Sequence, residues 1–244
     1  SGGDLVVCWL HHACRLEENP VLEVAAAAAR STDRPLLVHA GFGGRHEFAN
    51  DRHTIFMLEG WAELQRRLRD LGIVMSITPP SGAGRPSGLR RLVERACVLV
   101  TEDLPRNPYP EWTGDMATRA PGPTVVVDAA CLLPGRRVPG GHDRAFQFRR
   151  ACQREWDARV DRDWATADLT APIASEDDRP GDALDLTEHG PVALRDLAGN
   201  WPLDHSVGPA TGMTGGESEG LRRWTAFLQT GLSRYHRRRN DPLV

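Results

Sequence analysis

Leu5-Val6-Val7-Cys8-Trp9-Leu10 (LVVCWL), Asn19-Pro20 leading into the Ala-rich run Val21 to Arg30, and Pro35 to Ala40 (PLLVHA) read together as strand, helix, strand. The first run is apolar at every position and does not alternate. That is the pattern of a parallel strand buried on both faces. Asn19 supplies an N-cap and Pro20 suits the first helical position, where the missing N–H costs nothing. Outward from this unit, the apolar residues Met57, Trp61, Leu64, Leu68 and Leu71 recur at steps of four and three and predict a helix over Thr54 to Leu71. Ile73 to Ile77, Cys97 to Thr101 and Thr124 to Asp128 predict three more strands, with a short helix over Ser87 to Arg95. Strands separated by helices need crossover connections, so the fold class is α/β, a doubly wound parallel sheet. In such sheets ligands sit beyond the carboxyl ends of the strands. Those ends carry His11-His12, Gly41 to Gly44, Thr78-Pro79-Pro80, Glu102-Asp103 and Asp128.

Composition narrows the chemistry. All 30 basic residues among the 244 are Arg, so a Schiff base or a phosphate-loop Lys has no residue to form it. The net charge of −3 argues against indiscriminate polyanion binding by the chain as a whole. Five scattered cysteines with no CxxC pair read as reduced thiols of a cytoplasmic protein, and no apolar stretch approaches membrane-spanning length.

Beyond Asp128 the texture changes. Phe146 to Val160 predicts a helix, and Asp161 to Pro209 reads as an acidic connector, broken by Pro and Gly, with little core of its own. A last helix starts near Glu217 with Leu221, Trp224, Leu228, Leu232 and Tyr235 on one face. Glu217 and Glu219 open it and Arg234 to Arg239 close it, as the helix dipole favours. So much apolar surface with nothing following implies truncation within a second domain. The expected organisation is an α/β domain over 1–135, a helix and acidic linker over 136–216, and the first helix of a helical domain over 217–244.

Each candidate site competes with a plain structural reading. His11, His12 and Cys14 match no zinc spacing and read as a solvent-facing loop, so no metal is expected. Gly41-Phe42-Gly43-Gly44 is not GxGxxG and reads as a turn. Glu102-Asp103 stands where a carboxylate could bind a cofactor heteroatom, against the reading of a solvated loop. The guanidinium groups of Arg234, Arg237, Arg238 and Arg239 could hold phosphates, or simply end a helix in solvent.

Three stretches carry a family resemblance. Cys8-Trp9-Leu10 followed by Arg15-Leu16-Glu17-Glu18-Asn19 resembles the opening strand and turn of photolyases, with Glu18 where Asp is usual. Arg52-His53 and Phe56-Met57-Leu58-Glu59-Gly60 are similar to a class II helix. Leu203-Asp204-His205-Ser206-Val207 precedes Tyr235-His236-Arg237-Arg238-Arg239-Asn240-Asp241-Pro242, which resembles the segment opening the class II flavin pocket. The chain thus resembles the N-terminal half of the DNA photolyase/cryptochrome family. The resemblance implies light-dependent splitting of cyclobutane pyrimidine dimers by an electron from excited reduced FAD. It implies FAD contact by Tyr235, DNA contact by Arg237, Arg238 and Arg239, and no catalytic residue within the chain. A deazaflavin or folate antenna chromophore is possible, damaged double-stranded DNA is the implied partner, and a monomer is expected. The competing readings are a cryptochrome-like photoreceptor and a nonenzymatic α/β binding module.

Overall fold

The structure, a computed structural model, describes residues 2–42, 48–80, 87–138, 140–165 and 167–241. The chain runs β1 (Leu5–Leu10), α1 (Pro20–Thr32), β2 (Leu36–Gly41), α2 (Asp51–Asp70), β3 (Val74–Thr78), α3 (Ser87–Glu94), β4 (Ala96–Glu102), α4 (Tyr109–Ala117) and β5 (Thr124–Val127). Then follow α5 (Ala145–Val160), α6 (Pro191–Ala198), α7 (Glu217–Ala226) and a four-residue α8 (Tyr235–Arg238). The five strands form one sheet in the order β3-β2-β1-β4-β5, with every neighbouring pair parallel. The doubly wound expectation holds. Strand limits move by at most one residue, and the Pro-rich stretch around Tyr109 forms α4, a helix that periodicity did not indicate.

Alternation along the strands divides the core in two. Val6, Cys8, Leu10, Val38, Ala40, Met75 and Ile77 pack with α1 and α2. Leu5, Val7, Trp9, Leu37 and Leu99 pack with Leu89, Leu92 and Val93 of α3 and Met116 of α4. Each fully buried leucine or valine contributes roughly 1.5–3 kcal/mol, so covering both faces is what makes this sheet stable. Asn19 caps α1 as expected, accepting from the N–H groups of Val21 and Leu22 at 3.1 and 3.4 Å. Its amide also donates to the Ala13 and Arg15 carbonyls, which ties the helix start to the β1–α1 loop.

The irregular segment 161–209 is not detached from the domain. Leu36 N–H donates to the Pro172 carbonyl, and Leu184 N–H donates to the Ile77 carbonyl, on edge strand β3. Gln65 of α2 fastens the same stretch. Its amide donates to the Met75 and Leu184 carbonyls at 3.0 Å each, and its oxygen accepts from Leu186 N–H at 2.7 Å. Leu186, Leu194 and Ala198 are buried in the α1–α2 core. The segment builds no separate core: these buried residues join that of the main domain, while Ile173 and Val192 stay exposed.

α7 lies against α2. The Phe56 carbonyl stands where a Gly215 side chain would be, and Gly216 has φ +112°, so the chain turns into α7 through two positions that only glycine fills readily. After α7 the helix passes through a π-helical turn over Phe227–Gly231. No side chain from Glu217 to Arg238 contributes to a buried cluster, and Leu221, Trp224, Leu228 and Leu232 are about half exposed.

Candidate functional site

The sheet changes winding direction between β1 and β4, and polar groups collect at that point. β4 pairs with β1 through Thr101 and Trp9, which sets Glu102 beside the residues that leave β1. Glu102 is only 3% exposed, and one carboxylate oxygen accepts from three successive N–H groups, those of His11, His12 and Ala13, at 2.6, 2.9 and 3.1 Å. The solvated-loop reading of Glu102 is therefore wrong. Its charge is held by a backbone nest that shapes the β1–α1 loop, and no free carboxylate remains there to bind a cofactor heteroatom through that oxygen. Asp103, next in sequence, pairs with Arg136 at 2.5 Å.

The loop that Glu102 shapes walls a cavity of about 300 Å³. His11, His12 and Cys14 line one side, Phe56, Met57, Gly60 and Trp61 of α2 another, and Gly216 and Glu217 at the start of α7 close it. Two nitrogens in this wall, His11 Nε2 and Trp61 Nε1, are buried without a hydrogen-bond partner among the described residues. Burial, and to a lesser degree His12 and His39, hold the His11 pKa down to about 3, so the imidazole is neutral. Burial also pushes the Cys14 thiol up, aided by Glu63 and Glu217, so it is no nucleophile at neutral pH. The expectation that His11 faces solvent is corrected: only His12 of the pair is exposed. Among the described residues no group of three or more His, Cys, Asp or Glu is placed to hold a metal ion.

A second polar group sits deeper, on the α3–α4 face near the ends of β2 and β3. His39 is fully buried, with Nδ1 3.3 Å from Ser76 Oγ, and among the described residues its Nε2 and Thr78 Oγ1 have no hydrogen-bond partner. Burial holds His39 neutral, down to about 3. Unpaired buried polar atoms cost about 1–3 kcal/mol each, and their concentration at strand ends marks this end of the sheet as a ligand-facing region.

Glu217 joins the cavity to α7. Its carboxylate accepts from the N–H groups of Leu16 and Glu17 at 2.8 and 3.0 Å and pairs with Arg67, which also reaches Glu17 at 2.6 Å. Glu59 and Glu63 of α2 accept from Gly215 and Ser218 N–H at 2.7 and 2.9 Å. Three carboxylates therefore fix where α7 begins.

The residues expected at a site lie elsewhere. Tyr235 opens α8, half exposed, with its ring edge-on to Phe227 at 5.9 Å. Arg237, Arg238 and Arg239 are exposed around the same short turn. None of the four lines the cavity. Gly41 ends β2, and Phe42 packs on Trp201 at 5.0 Å, while Gly43 and Gly44 lie outside the described residues. Sequence reasoning passed over Trp61, because an aromatic residue on an apolar helix face reads as core.

The sequence model of DNA photolyase matches residues 6–172. The chain belongs to the DNA photolyase family. Among the curated members, the deoxyribodipyrimidine photo-lyase of Methanothermobacter thermautotrophicus is 28% identical over 245 residues, covering 99% of this chain and 51% of that protein. Among solved structures, the photolyase of the archaeon Sulfolobus tokodaii, described with two FAD molecules and a novel light-harvesting cofactor, superposes with a TM-score of 0.58. That match is 12% identical and covers 89% of this chain and 45% of the other, so it speaks for a shared photolyase fold. A universal stress protein of Archaeoglobus fulgidus gives a TM-score of 0.35 at 17% identity, covering 51% of this chain and 98% of that one, too distant to bear on the site. The chain spans about half the length of the photolyases it matches.

Proposed function

We propose that residues 1–244 belong to a light-dependent DNA-repair flavoprotein of the class II type, which splits cyclobutane pyrimidine dimers. The observation that carries this reading is the photolyase family match over residues 6–172, on a sheet whose carboxyl ends hold a cavity with unpaired nitrogens. Reduced FAD, when bound, supplies on illumination the electron that opens the dimer. The protein positions the partners, since the difficult chemistry belongs to the cofactor, and a dimer inside a duplex has to be flipped out to be reached.

This chain's residues divide that work. The Tyr235 ring and hydroxyl meet the flavin at the start of α8. Arg237, Arg238 and Arg239 offer guanidinium groups to DNA phosphates, which bind planar anions in bidentate fashion. The cavity suits an antenna chromophore. Its volume is at the lower end for small-molecule pockets and takes one fused ring system rather than a whole dinucleotide. Trp61 offers an N–H, neutral His11 offers a second polar contact, and Glu217 disfavours an anionic group at that end.

The test compares the 244-residue chain with a protein that also carries a photolyase helical domain, both purified under yellow light. The longer protein is expected to show a flavin absorption band and to repair dimers only when illuminated. The chain alone is expected to do neither, because Tyr235 is one contact of the many a buried dinucleotide needs. Flavin retention with light-dependent repair by the chain alone would show the active site to be misplaced. A longer protein that binds flavin but never repairs would sink the repair reading in favour of signalling.

A further inference from the structure

We infer that Tyr109 and His12 form a proton-coupled electron donor, set one ring behind the cavity wall and able to pass one electron to a photoexcited flavin-class ring in the cavity. The biological use of this pair rests on the antenna reading above; the redox chemistry of the pair does not. The Tyr109 hydroxyl oxygen lies 2.6 Å from His12 Nε2, in a contact that joins the β1–α1 loop to α4 across 97 residues of sequence. The Tyr109 ring is edge-on to both His12 and His11, at 5.1 and 5.2 Å between centroids. Both histidines line the cavity. His11 is 4.1 Å from Trp9, which is 6% exposed, and Tyr109 is 5.3 Å from Trp112. Contiguous rings therefore run from the sheet core, past the cavity wall, to the half-buried surface of α4.

A phenol gives up an electron readily only if its proton leaves at the same time, because the oxidised phenol is a strong acid. An imidazole nitrogen at 2.6 Å takes that proton without diffusion. Burial raises the Tyr109 pKa, so the phenol enters the step protonated, as the step needs. In the tautomer that carries its proton on Nδ1, His12 Nε2 accepts from the hydroxyl. The electron then leaves the Tyr109 ring for the excited flavin, the O–H bond breaks, and an N–H bond forms at His12 Nε2. The products are a neutral tyrosyl radical, a protonated imidazole and a flavin carrying one more electron. Return of the electron and the proton restores all three, so nothing is consumed.

The same contact could merely tie a loop to a helix, and the test separates the two roles. Free riboflavin serves as photo-oxidant in a laser-flash experiment on the 244-residue chain, with transient absorbance and electron paramagnetic resonance as readouts. The chain holds only two tyrosines, so a Tyr235→Phe background isolates Tyr109. A neutral tyrosyl radical is expected in that background and none after adding Tyr109→Phe. His12→Gln keeps a side chain that accepts a hydrogen bond and so preserves a tie, but it supplies no base. Radical formation is expected to slow by about a hundredfold and to lose its solvent deuterium effect, while the melting curve stays in place. An unchanged rate and isotope effect in His12→Gln, or radicals confined to tryptophan in the Tyr235→Phe chain, would overturn the inference. Because riboflavin is free in solution, that failure would leave the antenna reading standing. The antenna reading is judged separately, by whether the longer protein carries a second chromophore lost in Trp61→Phe.

Discussion

The sheet domain and the last helical stretch share one chain and obey opposite rules. In the first, apolar residues repeat with strand or helix periods and each buried face meets another: Leu58, Trp61 and Leu68 of α2 are at most 1% exposed against β1 to β3 and the 161–209 segment. In the second, the period is just as regular, yet Leu221, Trp224, Leu228 and Leu232 are 45–55% exposed. Periodicity thus specifies a helix and its apolar face, while burial depends on whether a partner face exists. The boundary between the regions is polar. Glu217, Glu59 and Glu63 place the start of α7 through backbone N–H groups, and the apolar side chains beyond add nothing to the core.

The contrast is broken most forcefully at Trp61. Trp61→Ala should cost about 3–5 kcal/mol, read as a lower urea midpoint at unchanged slope, whereas a loss below about 1 kcal/mol would show that α2 is not the keystone. Glu102→Ala removes the acceptor shared by three N–H groups and should cost about 3 kcal/mol, while Glu102→Gln keeps an amide oxygen in place and should cost about a third of that. Equal losses for the two would mean that the charge, and not the acceptor geometry, holds the β1–α1 loop.

A smaller effect follows from the two buried imidazoles. The folded pKa values of His11 and His39 lie near 3, below the usual 6.5, because burial disfavours the charged form. The unfolded chain therefore binds protons there that the native state refuses, so stability should fall as the pH drops from about 6.5 toward 3. His39→Phe should flatten that slope in chemical denaturation across the same range, and an unaltered slope would mean the imidazole is already protonated in the fold. The smallest effect belongs to the exposed helix. Changing Leu221, Trp224 and Leu228 together to Gln should alter stability by less than about 0.5 kcal/mol per site and reduce aggregation, since a contiguous apolar patch is lost. A drop comparable to that of Trp61→Ala would prove that face to be packed.

The five strands were legible because a parallel strand covered on both sides leaves an unbroken apolar run, and Asn19-Pro20 states a helix start outright. α4 was not, because Pro108 and Pro110 flank Tyr109 and read as loop, although proline in the first helical turn is compatible with a helix. The way segment 161–209 attaches to the sheet domain was hidden, since Leu184 and Leu186 show no period and their anchor is a polar residue, Gln65, on the inner side of α2. At the candidate site, the position of Glu102 was legible from strand-end reasoning, but its partners are backbone N–H groups, which leave no mark in the sequence. Tyr235 was legible only through family likeness, Arg237 to Arg239 also through their clustered charge, and none of the four lines the cavity beside β1.

Native-state hydrogen exchange on the 244-residue chain tests the two-region account most directly. Amides of β1, β2, β3 and β4 and of the inner face of α2 are expected to exchange only through global unfolding, Leu16 and Glu17 to be protected while Glu217 holds them, and amides from Leu221 to Arg238 to exchange by local fraying. Protection of Leu221 to Tyr235 equal to that of the sheet would contradict the account, because it would require a packed partner that the exposed face of α7 does not have among the described residues.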